Sequence, residues 1–449
     1  MKNQTYREPY RPQFHFSSKK NWLNDPNGCV YYKGQYHLFF QHNPKGVEWG
    51  NMTWGHAVSS DLIHWEQKKN AITPDTLGTI YSGSAVVDFE NTSGFKKGKE
   101  APLVAAFTYA GQFGKPSKPY TQALAFSNNA GKTWTKYKNN PILPNQSGAS
   151  DRDPKIFWYE KTQRWIMVLY LDKTRSFGFY SSLGLKKWKK ESEFESLYEC
   201  PDFFELAVDG NPKETRWVLH DATGQYLTGT FDGKNFKADK TKKRKLDHGK
   251  NYYAAQSFNN MPDKRRVSIA WMYQSCHPGM PFNQQMSIPT ELTLISTRKG
   301  LTLCRKPIDE ISSLVVSQNK LRPRVLKEKA PNPLKDISGE LFDIEIDFNL
   351  GKAKEFCFVI RGQVYSYDVK RELLVGPDNS KLKLKPIKGN IILRFIVDRS
   401  SIEVFANGGI ASQSTIVLFP KRDKTLDLYV RGGEAKLESC LVRKLKSIW

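Results

Sequence analysis

This chain of 449 residues has no apolar run approaching the roughly 18 residues that a membrane-spanning helix needs. Its opening stretch, MKNQTYREPYRPQFHF, lacks an apolar signal-peptide core, so as read it carries no address. A secreted or periplasmic location would need a leader outside this sequence; the cytoplasm is the alternative. Cysteine is scarce. Cys29, Cys200, Cys276, Cys304, Cys357 and Cys440 form no C-x-x-C pair and are too sparse for a disulfide scaffold, so neither a zinc site nor a redox compartment follows from them. Glycine (31) and proline (24) stay near ordinary usage, which excludes collagen-like repeats and low-complexity disorder. Acidic residues are outnumbered, 45 against 69 basic ones, and the net charge of +24 favours polyanions without naming one. The densest basic stretch, Lys242-Lys243-Arg244-Lys245, has no RRM, KH or helix-turn-helix pattern around it. It reads as a solvated surface strand or loop, and no nucleic-acid partner is expected.

Aromatic residues are plentiful, 13% of the chain, enough for a core with rings left over for a binding surface. Segments such as YHLFFQHN, PLVAAFTYA, RWIMVLYL and RRVSIAWMY are short, rich in β-branched and aromatic residues, and separated by Gly, Asn, Asp and Pro clusters. An all-β fold follows. A weak repeat lies beneath the strands: a polar turn leading to an aromatic, in Ser59–Trp65, Ser127–Trp134, Ser181–Trp188 and, more faintly, Thr230–Phe236. Intervals of roughly 50–70 residues suit one four-stranded propeller blade per repeat with variable loops.

The pattern changes near Lys306-Pro307-Ile308-Asp309-Glu310-Ile311, after which a Lys-, Pro- and Asn-rich passage runs to Leu334. Beyond it LFDIEIDFNL, FCFVIRG, NIILRFIVD and SIEVFAN alternate apolar and polar residues at period two, as strands with one buried face do. The expected organisation is a propeller over residues 1–305, a linker with a short helix over 306–334, and a β-sandwich over 335–449. In DRSSIEVF the alternation assigns Ile402, Val404 and Phe405 to packing and leaves Asp398 and Glu403 as turn or surface groups.

Three acidic motifs stand out in the first part: Trp22-Leu23-Asn24-Asp25-Pro26-Asn27-Gly28, Arg152-Asp153-Pro154 and Glu199-Cys200-Pro201-Asp202. Each sets an acid beside a proline, which restricts the residue before it, so Asp25 and Asp153 should be held extended. Asp-Pro is also an ordinary turn starter. Three such acids in different blades, each among aromatics, point instead to converging carboxylates, the equipment of glycoside hydrolysis.

These motifs, with GQYHLFFQHNP, MTWGHAVSSDLIHWE, Tyr81-Ser82-Gly83-Ser84, RDPKIFWYE and ECPDFFEL, resemble the invertase, levanase and exo-inulinase family of β-fructofuranosidases. The match runs in order from about Tyr6 to Leu294, and DRSSIEVFANGG resembles that family's C-terminal sandwich. The resemblance implies a five-bladed β-propeller followed by a C-terminal β-sandwich, and a retaining hydrolase that uses no metal or cofactor. It makes Asp25 the nucleophile, Glu199 the general acid/base and Asp153 a transition-state stabiliser. Asn24, Gln41, Trp49, Ser82, Arg152 and Trp271 would surround the fructose, with core packing an open alternative for the two tryptophans. A proton donor needs a raised pKa, which apolar Tyr198 and Cys200 beside Glu199 would favour. Retention would place the Asp25 and Glu199 carboxyls about 5–5.5 Å apart.

Asn251 stands where many relatives carry an acid before the Tyr-Ala pair, and Tyr273–Gly279 replaces a Trp-rich run bordering the aglycone side. His277 in that segment reads as an exposed, incidental loop residue. The expected substrate is a fructan, levan or inulin, attacked from the end, with sucrose hydrolysis or fructosyl transfer as alternatives. A non-catalytic carbohydrate-binding propeller is the reading from another class; retention of all three acids opposes it, since burying carboxylates together gains a binding module little. Oligomeric state does not follow from the sequence.

Overall fold

The structure, a computed structural model, describes residues 5–195, 197–420 and 423–449; the first four residues of the opening stretch lie outside the described residues. Strands dominate throughout, and the described helices are short 3-10 turns. From Asn21 to Pro307 the chain forms antiparallel meanders, each running outward from an innermost strand. The innermost strands are Asn21–Tyr32, Thr79–Val87, Arg152–Tyr159, Asp202–Val208 and Tyr253–Ser257. Hydrogen bonding groups them into four sheets, because the last two meanders join through one pair, Val208 with Leu294. The ring closes where Phe282–Asn283 pairs in parallel with Asn21 and Trp22. This is the propeller.

The repeat seen in the sequence is the hairpin joining the third and fourth strands of four blades, as between Thr53–Ser59 and Glu66–Gln67. Its physical content is a single device. The residue three before the aromatic has positive φ each time: Leu62 (66°), Gly131 (78°), Leu185 (67°) and Gly233 (97°). That kink returns the indole Nε1 of Trp65, Trp134 and Trp188 to the carbonyl three residues back, at 2.9, 3.2 and 2.7 Å. Phe236 has no side-chain N–H to donate, which is why the fourth copy is faint.

The second unit is a sandwich of two sheets whose facing sides carry Phe342, Ile344, Ile346, Phe348, Phe356 and Phe395, with the Phe348 and Phe356 rings stacked at 3.6 Å. Residues 306–334 are more than a linker. They hold a 3-10 helix, Asp309–Leu314, and the strands Val315–Leu321 and Arg324–Lys327, both pairing with the long last strand Glu434–Leu445. Charged and polar residues mask these edge strands from a period-two reading. The basic stretch does lie at the surface, with Arg244–Lys245 a short strand pairing with Gln225 and Tyr226.

Asp398 and Glu403 are not surface groups. Both are 0% exposed, at the seam between propeller and sandwich. Asp398 accepts the backbone N–H of Gln13 (2.7 Å), Phe14 (3.0 Å) and His15 (3.2 Å), and its Oδ2 lies 2.8 Å from His15 Nδ1. Glu403 accepts from Arg305 Nη2 at 2.8 Å and the Ile288 N–H at 2.9 Å, and lies 3.3 Å from His15 Nε2. Period-two alternation identifies one buried face of a strand. It cannot show that the other face is also covered, here by the propeller.

Candidate active site

One end of the propeller is irregular in a repeated way. Four innermost strands slip register against their neighbours there: between Leu23 and Pro26, between Tyr81 and Gly83, between Arg152 and Lys155, and between Tyr253 and Gln256. A bulge re-aims side chains out of the alternating pattern. The residues so freed include Asn24, Asp25, Ser82 and Asp153. The bulge at Ser82 needs the glycine after it, because a Cβ on Gly83 would overlap the Ala106 carbonyl oxygen. Asp153 is not extended as its following proline suggested. Its φ is 65°, a conformation the bulge permits, and its N–H donates to Thr108 Oγ1 at 3.1 Å. Glu199 arrives from the turn entering the fourth innermost strand, where it and Cys200 have φ of 27° and 44°.

All nine residues expected at the site line one cavity of about 310 Å³: Asn24, Asp25, Gln41, Trp49, Ser82, Arg152, Asp153, Glu199 and Trp271. A larger cavity, about 670 Å³, opens at the other end of the same strands among Val86, Phe157 and Phe204, and holds none of the nine. Ser82 Oγ donates to Asp25 Oδ2 at 2.6 Å. Arg152 grips Glu199 Oε2 through Nε (2.9 Å) and Nη2 (2.6 Å), and its Nε lies 3.8 Å from Asp153 Oδ2. Asp153 Oδ2 also accepts from the Cys200 N–H (3.2 Å) and thiol (3.3 Å). Glu199 and Asp153 thus meet one guanidinium, whose Nη1 also lies 3.3 Å from Asp172 Oδ1, while Asp25 faces the same cavity from Ser82. Burial raises the pKa of Asp25, with Glu199's charge adding to it and the Ser82 hydrogen bond opposing. Burial likewise raises Asp153; Arg152 works against the shift, and Glu199 and Asp25 reinforce it.

Tyr198 is exposed and Cys200 turns its thiol to Asp153, so neither encloses the Glu199 carboxyl. Two contacts the sequence reading did not assign hold it instead: the fork of Arg152, and the Tyr253 hydroxyl 2.5 Å from Oε1. Tyr253 was visible only as half of a Tyr-Ala pair, and its partner is 54 residues away. Tyr81, Met52, Tyr198 and Tyr273 complete the wall.

Trp49 is 48% exposed and Trp271 8% exposed; the first stands over the opening, while the second is both wall and core, donating Nε1 to Gln284 at 3.0 Å. Buried Gln41 has an Nε2 with no hydrogen-bond partner among the described residues, a donor left for a ligand in this cavity. Trp22 Nε1 orients Asn24 through Oδ1 at 2.9 Å. His277 is buried rather than exposed. Its Nε2 lies 3.1 Å from Gln285 Oε1, and burial lowers its pKa to about 4. Asn251 Nδ2 donates to the Tyr273 carbonyl at 2.6 Å while its Oδ1 accepts from Ile416 N–H at 2.9 Å, tying the wall to the sandwich. No cluster of three or more His, Cys, Asp or Glu placed to hold a metal occurs among the described residues.

The chain is 40% identical to a levanase of Bacillus subtilis (strain 168), over 99% of this chain and 72% of that protein. It is 33% identical to an extracellular exo-inulinase of Aspergillus awamori, over 99% and 96%. The crystal structure of exo-inulinase from A. awamori superimposes with a TM-score of 0.90 at 31% identity, covering 99% of this chain and all of that one. A β-fructofuranosidase from Schwanniomyces occidentalis complexed with fructosyl-erythritol gives 0.83 at 29%, covering 97% and 98%. Residues 15–307 match the glycosyl hydrolases family 32 N-terminal domain and residues 310–444 the family 32 C-terminal domain. With both parts matched and the carboxylate pocket in the first, the chain belongs to glycosyl hydrolase family 32 and is a glycosidase.

Proposed function

We propose that this glycosidase cleaves β-D-fructofuranosidic bonds by a retaining mechanism, releasing fructose from the ends of levan or inulin, with sucrose as a further substrate. Asp25 attacks the anomeric carbon, Glu199 protonates the leaving oxygen and later activates water, and Asp153 binds fructose hydroxyls. The observation that carries this is the convergence of these three carboxylates in one cavity. At about 310 Å³ it lies near the small end of ligand pockets, which suits one terminal sugar better than a length of polymer. Ser82 orients the Asp25 carboxylate for attack. The Tyr253–Glu199 hydrogen bond can reverse: a protonated Glu199 donates and the phenol oxygen accepts. Gln41 Nε2, Asn24, Trp49 and Trp271 are placed to fix the sugar ring. The levanase and exo-inulinases among the relatives support a fructan as substrate.

Ion-exchange analysis of early products from levan, inulin and sucrose tests this reading. Fructose should be the first product from the polymers; early oligosaccharides would overturn end-wise action, and inertness on all three would overturn the substrate class. For Glu199, a Glu199→Ala enzyme should lose far more rate on natural substrates than on an activated fructoside, and azide should restore rate. Equal losses without an azide effect would assign the proton to another residue.

A further inference from the structure

Both active-site motifs continue past their acids into a second pair of charged residues, Lys155 in RDPK and Asp202 in ECPD. The two are 1% and 2% exposed, and Lys155 Nζ lies 2.7 Å from Asp202 Oδ1. Lys155 Nζ also donates to the Ser257 carbonyl at 2.9 Å. Ser257 answers with its N–H on Asp202 Oδ2 at 2.7 Å and its hydroxyl on Oδ1 at 3.2 Å. One knot thus joins three innermost strands, Arg152–Tyr159, Asp202–Val208 and Tyr253–Ser257, at a level along them between the two cavities.

Those same strands deliver the groups that hold Glu199. Arg152 sits three residues before Lys155, Glu199 three before Asp202, and Tyr253 four before Ser257. We propose that Lys155 and Asp202 are a positioning pair, setting the spacing of these strands so that Arg152 and Tyr253 close on the Glu199 carboxyl. The proposal rests on the assignment of Glu199 as acid/base. The turn at Glu199 and Cys200, with both residues at positive φ, is tied only by single bonds, from Ala222 N–H to the Glu199 carbonyl at 3.0 Å and from Cys200 N–H to Asp153 at 3.2 Å, and the regular ladder begins at Asp202. A buried ion pair adds little net stability over apolar packing, yet it specifies one geometry, because each charge must meet its partner. A shift of about 1 Å in a reacting group costs on the order of a hundredfold in rate.

The test compares two leaving groups in Lys155→Met and Asp202→Asn, the second nearly isosteric in case the first fails to fold. Displacing the acid should lower kcat about 10- to 100-fold on levan or inulin and several-fold less on an activated fructoside, with KM changed little. The alkaline limb of the kcat/KM profile should move, since Glu199 loses its set partners. Equal losses on the two substrates alongside a lower Tm would show a purely structural pair. Rates within twofold of wild type in both variants would also overturn the inference. Should Glu199→Ala itself prove active, the acid/base assignment fails first; should Glu199→Ala be inactive while the pair variants show no leaving-group effect, the positioning role alone fails.

Discussion

Two groups of buried carboxylates in this molecule are chemically alike and electrostatically opposite. Asp25 and Asp153 in the propeller pocket have raised pKa values, because burial and the charge of neighbouring Glu199 outweigh the Ser82 hydrogen bond on Asp25 and the Arg152 charge beside Asp153. At the seam with the sandwich, burial alone would likewise raise Asp398 and Glu403. Hydrogen bonds from His15 and backbone N–H groups, with the charge of His15 and, for Glu403, that of Arg305, pull both below the ordinary range. One set is held short of charge balance, the condition of groups meant to react. The other is saturated, the condition of groups meant to stay.

Exchanging charge for an amide in each set should separate the two roles. The largest effect is expected from Asp25→Asn: turnover on inulin or levan falls by about three to five orders of magnitude. Its melting temperature should hold or rise, since a carboxylate that burial disfavours is gone. Residual activity above a tenth of wild type would remove Asp25 from the covalent step. Asp398→Asn and Glu403→Gln should do the converse, each costing roughly 3–5 kcal/mol of stability by unbalancing a buried ionic network. Turnover per folded molecule should stay within a few-fold. A hundredfold loss with unchanged melting would move the seam acids into the chemistry.

Alkali should loosen the seam. His15 is raised from its ordinary 6.5 to about 9, where its two carboxylate partners outweigh the burial that alone would lower it. A raised pKa means stabilisation that is complete below pH 6.5 and lost as pH rises through about 9. The Tm of wild type should therefore decline over that interval, and His15→Gln should flatten the decline. Asp398 and Glu403, lowered on folding, give stability present above their ordinary values and lost as acid is added. A wild-type Tm constant from pH 6.5 to 9 would contradict a charged His15. The smallest effect should come from salt. Between 50 and 500 mM the Debye length falls from roughly 14 to 4 Å, yet kcat/KM on neutral fructans should scarcely move, because the +24 charge has nothing to steer. A steep fall would indicate an anionic substrate.

The pocket was more legible in the sequence than the seam, for a physical reason. The acids proposed for catalysis stand in short local motifs with prolines and aromatics, so Asp25, Asp153 and Glu199 can be picked out one by one. The propeller was legible through its hairpin device, where an indole and a kinked residue lie three positions apart. What could not be read was pairing at long range. Glu403 meets Arg305, 98 residues away, and Asp398 meets His15, 383 away, and nothing local marks either acid as buried. Tyr253 on Glu199 and Lys155 on Asp202 were hidden likewise, although three of those four residues stood inside or beside quoted motifs. His277 is buried although its loop is rich in polar residues, because those residues bond inward, as Gln285 does to His277.

In the proposed mechanism Asp25 is the group left free to form a bond to the sugar. Reacting Glu199→Ala with an activated fructoside, quenching, and mapping the adduct by peptide mass spectrometry tests it directly, since the slowed second step should let the intermediate accumulate. One fructosyl unit on the peptide containing Asp25 is the expected result. A fructosyl unit on Asp153, or continued release of the leaving group with no adduct on any peptide, would contradict it.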